Sequence, residues 1–259
     1  MILNDVQRSS QEQFGKQSHR YAKGHVLQNV DDLREALSFL SLPAPAQILD
    51  VAAGAGNTGL FFASLGHDVT LSDIAQPMLD RAIEAAHERG LKIQTRVHPA
   101  EKFPFPDQTF DLVSCRVAPH HFSSPEAFVS ECSRTLKRGG CLLIIDGTVE
   151  DDQPEAEAWL HEVEKLRDPS HQRLIIPKRW VEMCQATGLT VERSLIRFFK
   201  QPDLNWYFET AATPQQNRDR ILQLIDRAPD SARKLFRIGV EDRKIIWWWQ
   251  RLTLIARKN

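Results

Sequence analysis

The chain has 259 residues, of which 42% are hydrophobic and 26% charged, with a formal net charge of −1. That is enough to bury the core of one large α/β domain, and the near-neutral balance supplies no global field for nucleic acid or an anionic membrane. No apolar run approaches the roughly 18–20 residues of a membrane span, so no membrane span is expected, and the polar N-terminus is not expected to act as a secretory signal. The four cysteines, Cys115, Cys132, Cys141 and Cys184, show no paired short spacing. Neither a zinc site nor a disulfide framework is indicated, no metal is expected, and a reduced, cytoplasmic protein fits best.

Residues 1–29 form a polar N-terminal segment around Phe14 and Tyr21, readable as a tail or as a cover that orders over a substrate. The main domain, residues 30–259, opens with Val30, Leu33, Leu37 and Leu40 at helical spacing, closed by Pro43 and Pro45. A strand over 48–51 follows, then a small-residue turn over 52–56 and a helix over 57–65 stopped by Gly66. The second strand, 69–72, ends at Asp73, and Gln76-Pro77 opens a helix that runs to Arg89-Gly90. A third strand spans 92–98, and a loop rich in proline and aromatics spans 99–109. The fourth strand covers 110–115, a helix over 125–138 is closed by Gly139-Gly140, and the fifth strand covers 141–146. Five strands alternating with helices specify a parallel, doubly wound sheet.

Beyond it the pattern predicts helices over 155–166 and 177–187, a strand over 189–199, helices over 214–226 and 231–236, and a last strand over 245–256. The connection at about 200–244 is far longer than a crossover requires. Such an insertion either covers a site or decorates the surface.

A strand that feeds a helix through a turn such as Ala52-Ala53-Gly54-Ala55-Gly56 brings backbone N–H groups and a helix N-terminus up to a ligand. A side chain at Gly54 or Gly56 would block close approach or forbid the backbone angles; the alternative is that the glycines only connect tightly packed elements. Asp73, at the end of the second strand, stands where a carboxylate meets ribose hydroxyls, or else caps the following helix. A nicotinamide oxidoreductase is disfavoured, because no nicotinamide-side motif follows the fourth strand.

The run Asp50-Val-Ala52-Ala-Gly54-Ala-Gly56 resembles motif I of class I S-adenosylmethionine-dependent methyltransferases, with Ala52 in place of the first glycine. The loop Ala100-Glu101-Lys-Phe-Pro-Phe-Pro-Asp107-Gln-Thr-Phe110-Asp111 is similar to the ubiquinone and menaquinone biosynthesis C-methyltransferases, as is Arg134-Thr-Leu-Lys-Arg-Gly-Gly140. Arg116-Val-Ala-Pro-His120-His121-Phe122, with Leu166-Arg-Asp-Pro-Ser-His171 beyond it, resembles a branch of small bacterial methyltransferases. The likeness covers residues 30–150 most closely.

The resemblance implies a Rossmann-like, seven-stranded, mostly parallel sheet whose last strand is antiparallel. It places Ala52, Gly54, Ala55 and Gly56 at the methionine end of S-adenosylmethionine, Asp50 near its amino group and Asp73 on the ribose. Ile74 and Met78 would flank the adenine. The Asp-Ala pair that grips the adenine edge in relatives is Pro99-Ala100 here, which leaves that contact to the Ala100 backbone and Glu101.

Arg116 is counted with the same pocket, pairing with an acidic ligand or bonded to carbonyls. His120 and His121 follow the fourth strand, where the methyl group should point, and are the candidate bases; the alternative is a hydrogen bond to backbone at the helix entrance. Arg167 and His171 are secondary candidates. The expected reaction is methylation of a small-molecule acceptor at oxygen, carbon or nitrogen, with S-adenosylhomocysteine as product. The rivals are a cyclase-like enzyme that uses the cofactor as a scaffold and a nucleic-acid or protein methyltransferase, although the Asn/Asp-Pro-Pro-Tyr loop of base-amino methylases is missing.

Overall fold

The structure is a computed structural model and describes residues 2–17 and 29–259. Its helices and strands, in chain order, are α1 (Asp5–Gln17), α2 (Asp31–Leu37), β1 (Gln47–Val51), α3 (Asn57–Ser64), β2 (Asp68–Asp73), α4 (Gln76–Glu88), β3 (Gln94–Val97), β4 (Phe110–Arg116), α5 (Pro125–Thr135) and β5 (Leu136–Thr148). There follow α6 (Pro154–Arg167), α7 (Pro177–Ala186), β6 (Leu189–Lys200), α8 (Leu204–Ala211), α9 (Gln215–Asp226), α10 (Asp230–Leu235), β7 (Gly239–Glu241), β8 (Lys244–Ile246) and β9 (Trp248–Lys258).

Seven strands form one sheet in the order β3-β2-β1-β4-β5-β9-β6. The five from β3 to β5 are parallel, and β9 inserts antiparallel between β5 and β6, as the resemblance implied. Ile48 of β1 pairs with Val69 of β2 on one side and Leu112 of β4 on the other. The strand order therefore reverses between β1 and β4, and the crevice outside their carboxyl ends is where a doubly wound sheet binds ligands.

The central strands β1, β4 and β5 are buried on both faces and read as near-continuous apolar runs, whereas the edge strands β3 and β6 are largely exposed. Leu49, Val113, Phe128 and Trp180 lie in the core on one face, and Ile48, Leu112, Phe62 and Leu79 in the core on the other. A third core, with Trp159, Tyr207, Ile221, Phe236 and Trp247, packs the insertion against α6.

Several expectations change. Part of the N-terminal segment is the helix α1; residues 18–28, including Tyr21, lie outside the described residues. Helix α5 stops at Thr135, and residues 136–140, expected as its last turn, already belong to β5. Leu136 pairs with Phe110, the register then jumps to Leu112↔Cys141, and a Cβ on Gly140 would lie 3.0–3.2 Å from the Lys137, Phe110 and Asp111 carbonyl oxygens. The insertion carries an extra helix, α8, and the β7–β8 hairpin. The single last strand expected over 245–256 is two strands separated at Trp247, whose carbonyl accepts from the Gln201 N–H.

Candidate active site

At the carboxyl end of β1 the chain turns through three left-handed residues before α3: Ala52 has φ 51°, Gly54 φ 55° and Gly56 φ 85°. Alanine at Ala52 is strained there, by about 1–2 kcal/mol, so the position that relatives fill with glycine has kept the glycine backbone. The Gly54 N–H donates to Asp73 Oδ2 (2.9 Å) and the Ala75 N–H to Asp73 Oδ1 (2.9 Å), tying the turn to the end of β2. Asp73 is buried, and desolvation raises its pKa against these backbone donors. A Cβ on Gly54 would meet Met78 Cε at 3.2 Å, so a side chain there would fill the space beside Met78.

Ala52, Gly54, Ala55, Asp73, Ile74 and Met78 line one end of a cavity of about 630 Å³, where Ala100 and Glu101 join them. Two of the expected cofactor residues do not line it. Gly56 instead meets α4: a Cβ there would come within 2.9 Å of Ala82 Cβ, so its role is to let α3 pack. Asp50 lies behind the turn, 1% exposed, accepting from the Gly59 N–H (3.0 Å) and Ser114 Oγ (2.9 Å). Burial pushes its pKa up to about 7 despite these two bonds.

Glu101 lines the cavity, but its carboxylate is engaged elsewhere. Oε1 accepts from the Ser123 N–H (2.8 Å) and hydroxyl (2.7 Å), and Oε2 from Gln7 Nε2 of α1 (2.8 Å). Arg116 also lines it; Nε donates to Asp32 Oδ2 of α2 (2.9 Å) and Nη2 to the Asn29 carbonyl (2.7 Å).

His120 and His121 sit in a 3₁₀ turn, Pro119–His121, after β4, with ring centroids 4.1 Å apart. Asp146 of β5 is 1% exposed and accepts twice from His120: from its backbone N–H (3.0 Å) and at Nδ1 (2.8 Å). A carboxylate only accepts, so Nδ1 carries a proton and the lone pair of the neutral ring is on Nε2. Burial pulls the His120 pKa down, but the Asp146 carboxylate outweighs it and the pKa ends above the ordinary histidine value.

His121 behaves oppositely. Its Nδ1 is 3.1 Å from Ser170 Oγ, whose own proton goes to Asp168 Oδ1 (2.6 Å), so Nδ1–H of His121 donates to the serine. Burial, then the neighbouring His120 charge, lowers the His121 pKa.

His171, the secondary candidate, lines the cavity 5.4 Å from His120, centroid to centroid; burial lowers its pKa and Nε2 has no partner among the described residues. Arg167, also in the lining, donates to the Tyr207 carbonyl and Thr210 Oγ1. Among the described residues, no group of three or more His, Cys, Asp or Glu is placed to hold a metal ion.

Asp146, Asp168 and Ser170 escaped the sequence reading as site residues. Each had a signal: Asp146 is a carboxylate at the carboxyl end of a parallel strand, and Asp168 and Ser170 lie within the Leu166–His171 run that carries the resemblance. The cavity is completed by Phe14 of α1, edge-on to His121 at 4.9 Å, and by Phe199, Trp206 and Trp249. Of the Trp247-Trp248-Trp249 triplet, Trp247 is core, Trp249 faces the cavity, and Trp248 packs under Arg237.

A doubly wound sheet with an antiparallel strand beside β5, a small-residue turn after β1 and a carboxylate after β2 define a class I methyltransferase architecture. A family model described as a methyltransferase domain matches residues 49–144. The chain is 30% identical to the uncharacterized methyltransferase YcgJ of Bacillus subtilis over 225 residues, 86% of this chain and 88% of that one. The crystal structure of YcgJ superposes with a TM-score of 0.82 at 27% identity, covering 89% of this chain and 99% of YcgJ. Demethylmenaquinone methyltransferase of Thermus thermophilus is 34% identical over 115 residues, 44% of this chain and 52% of that protein. The chain belongs to the S-adenosylmethionine-dependent methyltransferases of class I. No helix among the described residues is long and apolar enough to cross a membrane.

Proposed function

We propose that this chain binds S-adenosylmethionine at the β1–β2 end of the cavity and methylates a small-molecule acceptor held between His120 and the aromatic wall. The observation that carries this reading is one continuous cavity that has the Gly54–Asp73 turn at one end and the His120–Asp146 pair in its wall. When bound, the cofactor supplies a methyl group on a sulfonium, which is transferred by in-line displacement.

Asp73 would hold the ribose: its two oxygens accept from backbone N–H groups of Gly54, Ala75 and Ile74 and keep acceptor capacity for a hydroxyl. Ile74 and Met78 would flank the adenine beside Ala100. His120 is the base. Its Nε2 takes the proton that an oxygen or carbon acceptor loses as the new bond to methyl forms, and Asp146 stabilises the resulting imidazolium. His121, held neutral, orients the acceptor through its own Nε2. Arg116 contributes charge at the acceptor side of the pocket, not a contact to the adenosyl group.

Helix α1 and the 200–244 insertion form the cover that excludes water, a reading supported by Phe14 of α1 and Trp206 of the insertion, which both line the cavity. Four free, buried cysteines support a cytoplasmic setting. Titration calorimetry with S-adenosylhomocysteine tests the cofactor site. The wild-type protein should bind and Asp73→Ala should bind at least about tenfold more weakly. Binding that ignores Asp73→Ala would falsify the assignment. Appearance of S-adenosylhomocysteine alongside a methylated acceptor separates methyl transfer from scaffolded chemistry.

A further inference from the structure

The cavity wall opposite the cofactor turn is built by the paired strands β6 and β9. Arg197 stands directly across from Arg251, and Phe199 directly across from Trp249. Residues two apart on a strand share a face, so this wall carries a row of two guanidiniums beside a row of two aromatic rings. All four line the cavity, with the Phe199 and Trp249 centroids 5.5 Å apart and the Arg251 guanidinium 4.1 Å from the Phe199 centroid.

Like charges directly opposite on neighbouring strands destabilise a sheet, so this pair needs compensation. Helix α2 supplies some of it: Glu35 accepts from Arg197 Nη2 (2.6 Å), and Asp32 Oδ2 accepts from Arg251 Nη1 (3.0 Å). That same Asp32 oxygen also accepts from Arg116 Nε (2.9 Å). The other charges here are already paired, Asp31 with Arg34 and Lys200 with Glu241. Asp146 of β5 also acts on Arg251, so Asp32, Glu35 and Asp146 are the carboxylates that face these guanidiniums among the described residues. The Arg251 side chain is 18% exposed, and among the described residues its only protein acceptor is Asp32. Gly147, opposite Arg251 on β5, is covered by Leu174, whose Cδ2 would lie 2.9 Å from a Cβ there.

We infer that this wall binds the anionic group of the methyl acceptor. The acceptor class is a flat, apolar molecule bearing a carboxylate or a phosphate monoester. Its anion lies in the fork of Arg251 and Arg197, and its body lies on Phe199, Trp249 and Trp206. A planar guanidinium pair matches either anion with two-point hydrogen bonds, and the aromatic row beside it supplies the apolar contact. This rests on the reading of the cavity as the acceptor site of a methyltransferase.

The test uses the full chain saturated with S-adenosylhomocysteine, titrated by calorimetry with 2-naphthoate, 2-naphthyl phosphate and the neutral 2-naphthamide. At least one anion should bind about tenfold or more tightly than the amide, and the tighter of the two identifies the anion. Arg251→Met and Arg197→Met should each weaken that anion about fivefold or more, leaving the amide and S-adenosylhomocysteine affinities unchanged. The more exposed Arg197 carries the test should Arg251→Met fail to fold in a thermal melt. Equal binding of amide and anions, no binding of any probe, or anion binding that survives Arg197→Met overturns the inference. Failure of the wild-type chain to bind S-adenosylhomocysteine would instead strike the cofactor reading.

Discussion

Asp146→Asn isolates what the His120–Asp146 pair does. The wild-type carboxylate accepts from both the backbone N–H and Nδ1 of His120, at 3.0 and 2.8 Å. An asparagine has one oxygen for two donors, and its NH2 group must face the second. If the oxygen stays on the backbone N–H, Nδ1 is turned into an acceptor and the ring proton moves to Nε2. The lone pair that would take the acceptor's proton is then gone. Losing one charge-assisted bond costs about 1.5–3 kcal/mol, on the order of a 10- to 150-fold fall in turnover at unchanged cofactor affinity.

The pH profile should move as well. The base must be neutral, so wild-type turnover rises with pH through a His120 pKa that lies above the ordinary value of 6.5. In the variant the attraction of Asp146 is removed and burial outweighs the weaker pull of Glu164 and Asp168, so the pKa falls and the rising limb moves to lower pH. Nitrogen-15 NMR of the imidazoles reads the same change without an acceptor: Nδ1-protonated His120 in the wild type, Nε2-protonated in Asp146→Asn. An unchanged tautomer together with an unmoved titration midpoint would refute the reasoning.

Other substitutions test the scaffold beneath the site. Asp50 has a folded pKa of about 7 against an unfolded 3.8, so the folded chain holds more protons between those values, and stability falls as pH rises through that window. The slope is on the order of 1.4 kcal/mol per pH unit, and Asp50→Asn should flatten it in denaturant titrations run from pH 5 to 7. Gly59→Ala places a Cβ 1.9 Å from Leu71 Cδ2 in a buried helix–sheet contact. It should cost about 1–3 kcal/mol in a urea melt, and a variant as stable as wild type would show that α3 can slide. Phe14→Ala removes the ring packed edge-on against His121 and should raise the KM for the acceptor several-fold, with S-adenosylhomocysteine affinity unaffected in calorimetry.

The centre of the sheet was legible because β1, β4 and β5 are apolar runs, and the glycine, proline and aspartate around them report local backbone demands. Ala52 shows how far that reaches: a small residue in a glycine position marks a left-handed φ even without the glycine. The resemblance also pointed to Asp73, His120 and His121, which line one cavity. Asp50 and Gly56, expected beside the same ligand, do not line that cavity. Spacing fixes that a residue belongs to the turn, but not whether it faces the ligand or the helix behind it. Gly56 is decided by Ala82 on α4, a contact made across the fold.

Helix α1 was illegible for a different reason. Its anchors are glutamines, with Gln7 bonded to Glu101 and Gln11 to the Ile74 carbonyl, so it has no apolar stripe for periodicity to find. A helix held by side-chain hydrogen bonds and one aromatic ring buries little apolar surface, so its opening should cost far less than unfolding of the sheet. That low cost fits a cover over the cavity: Glu101 and Ile74 belong to the cofactor end, and Phe14 touches the histidine beside the proposed base. The same few bonds thus link closure over the acceptor to the geometry of the cofactor end. Such a link is made of long-range contacts between polar side chains, and no local pattern in the chain announces it.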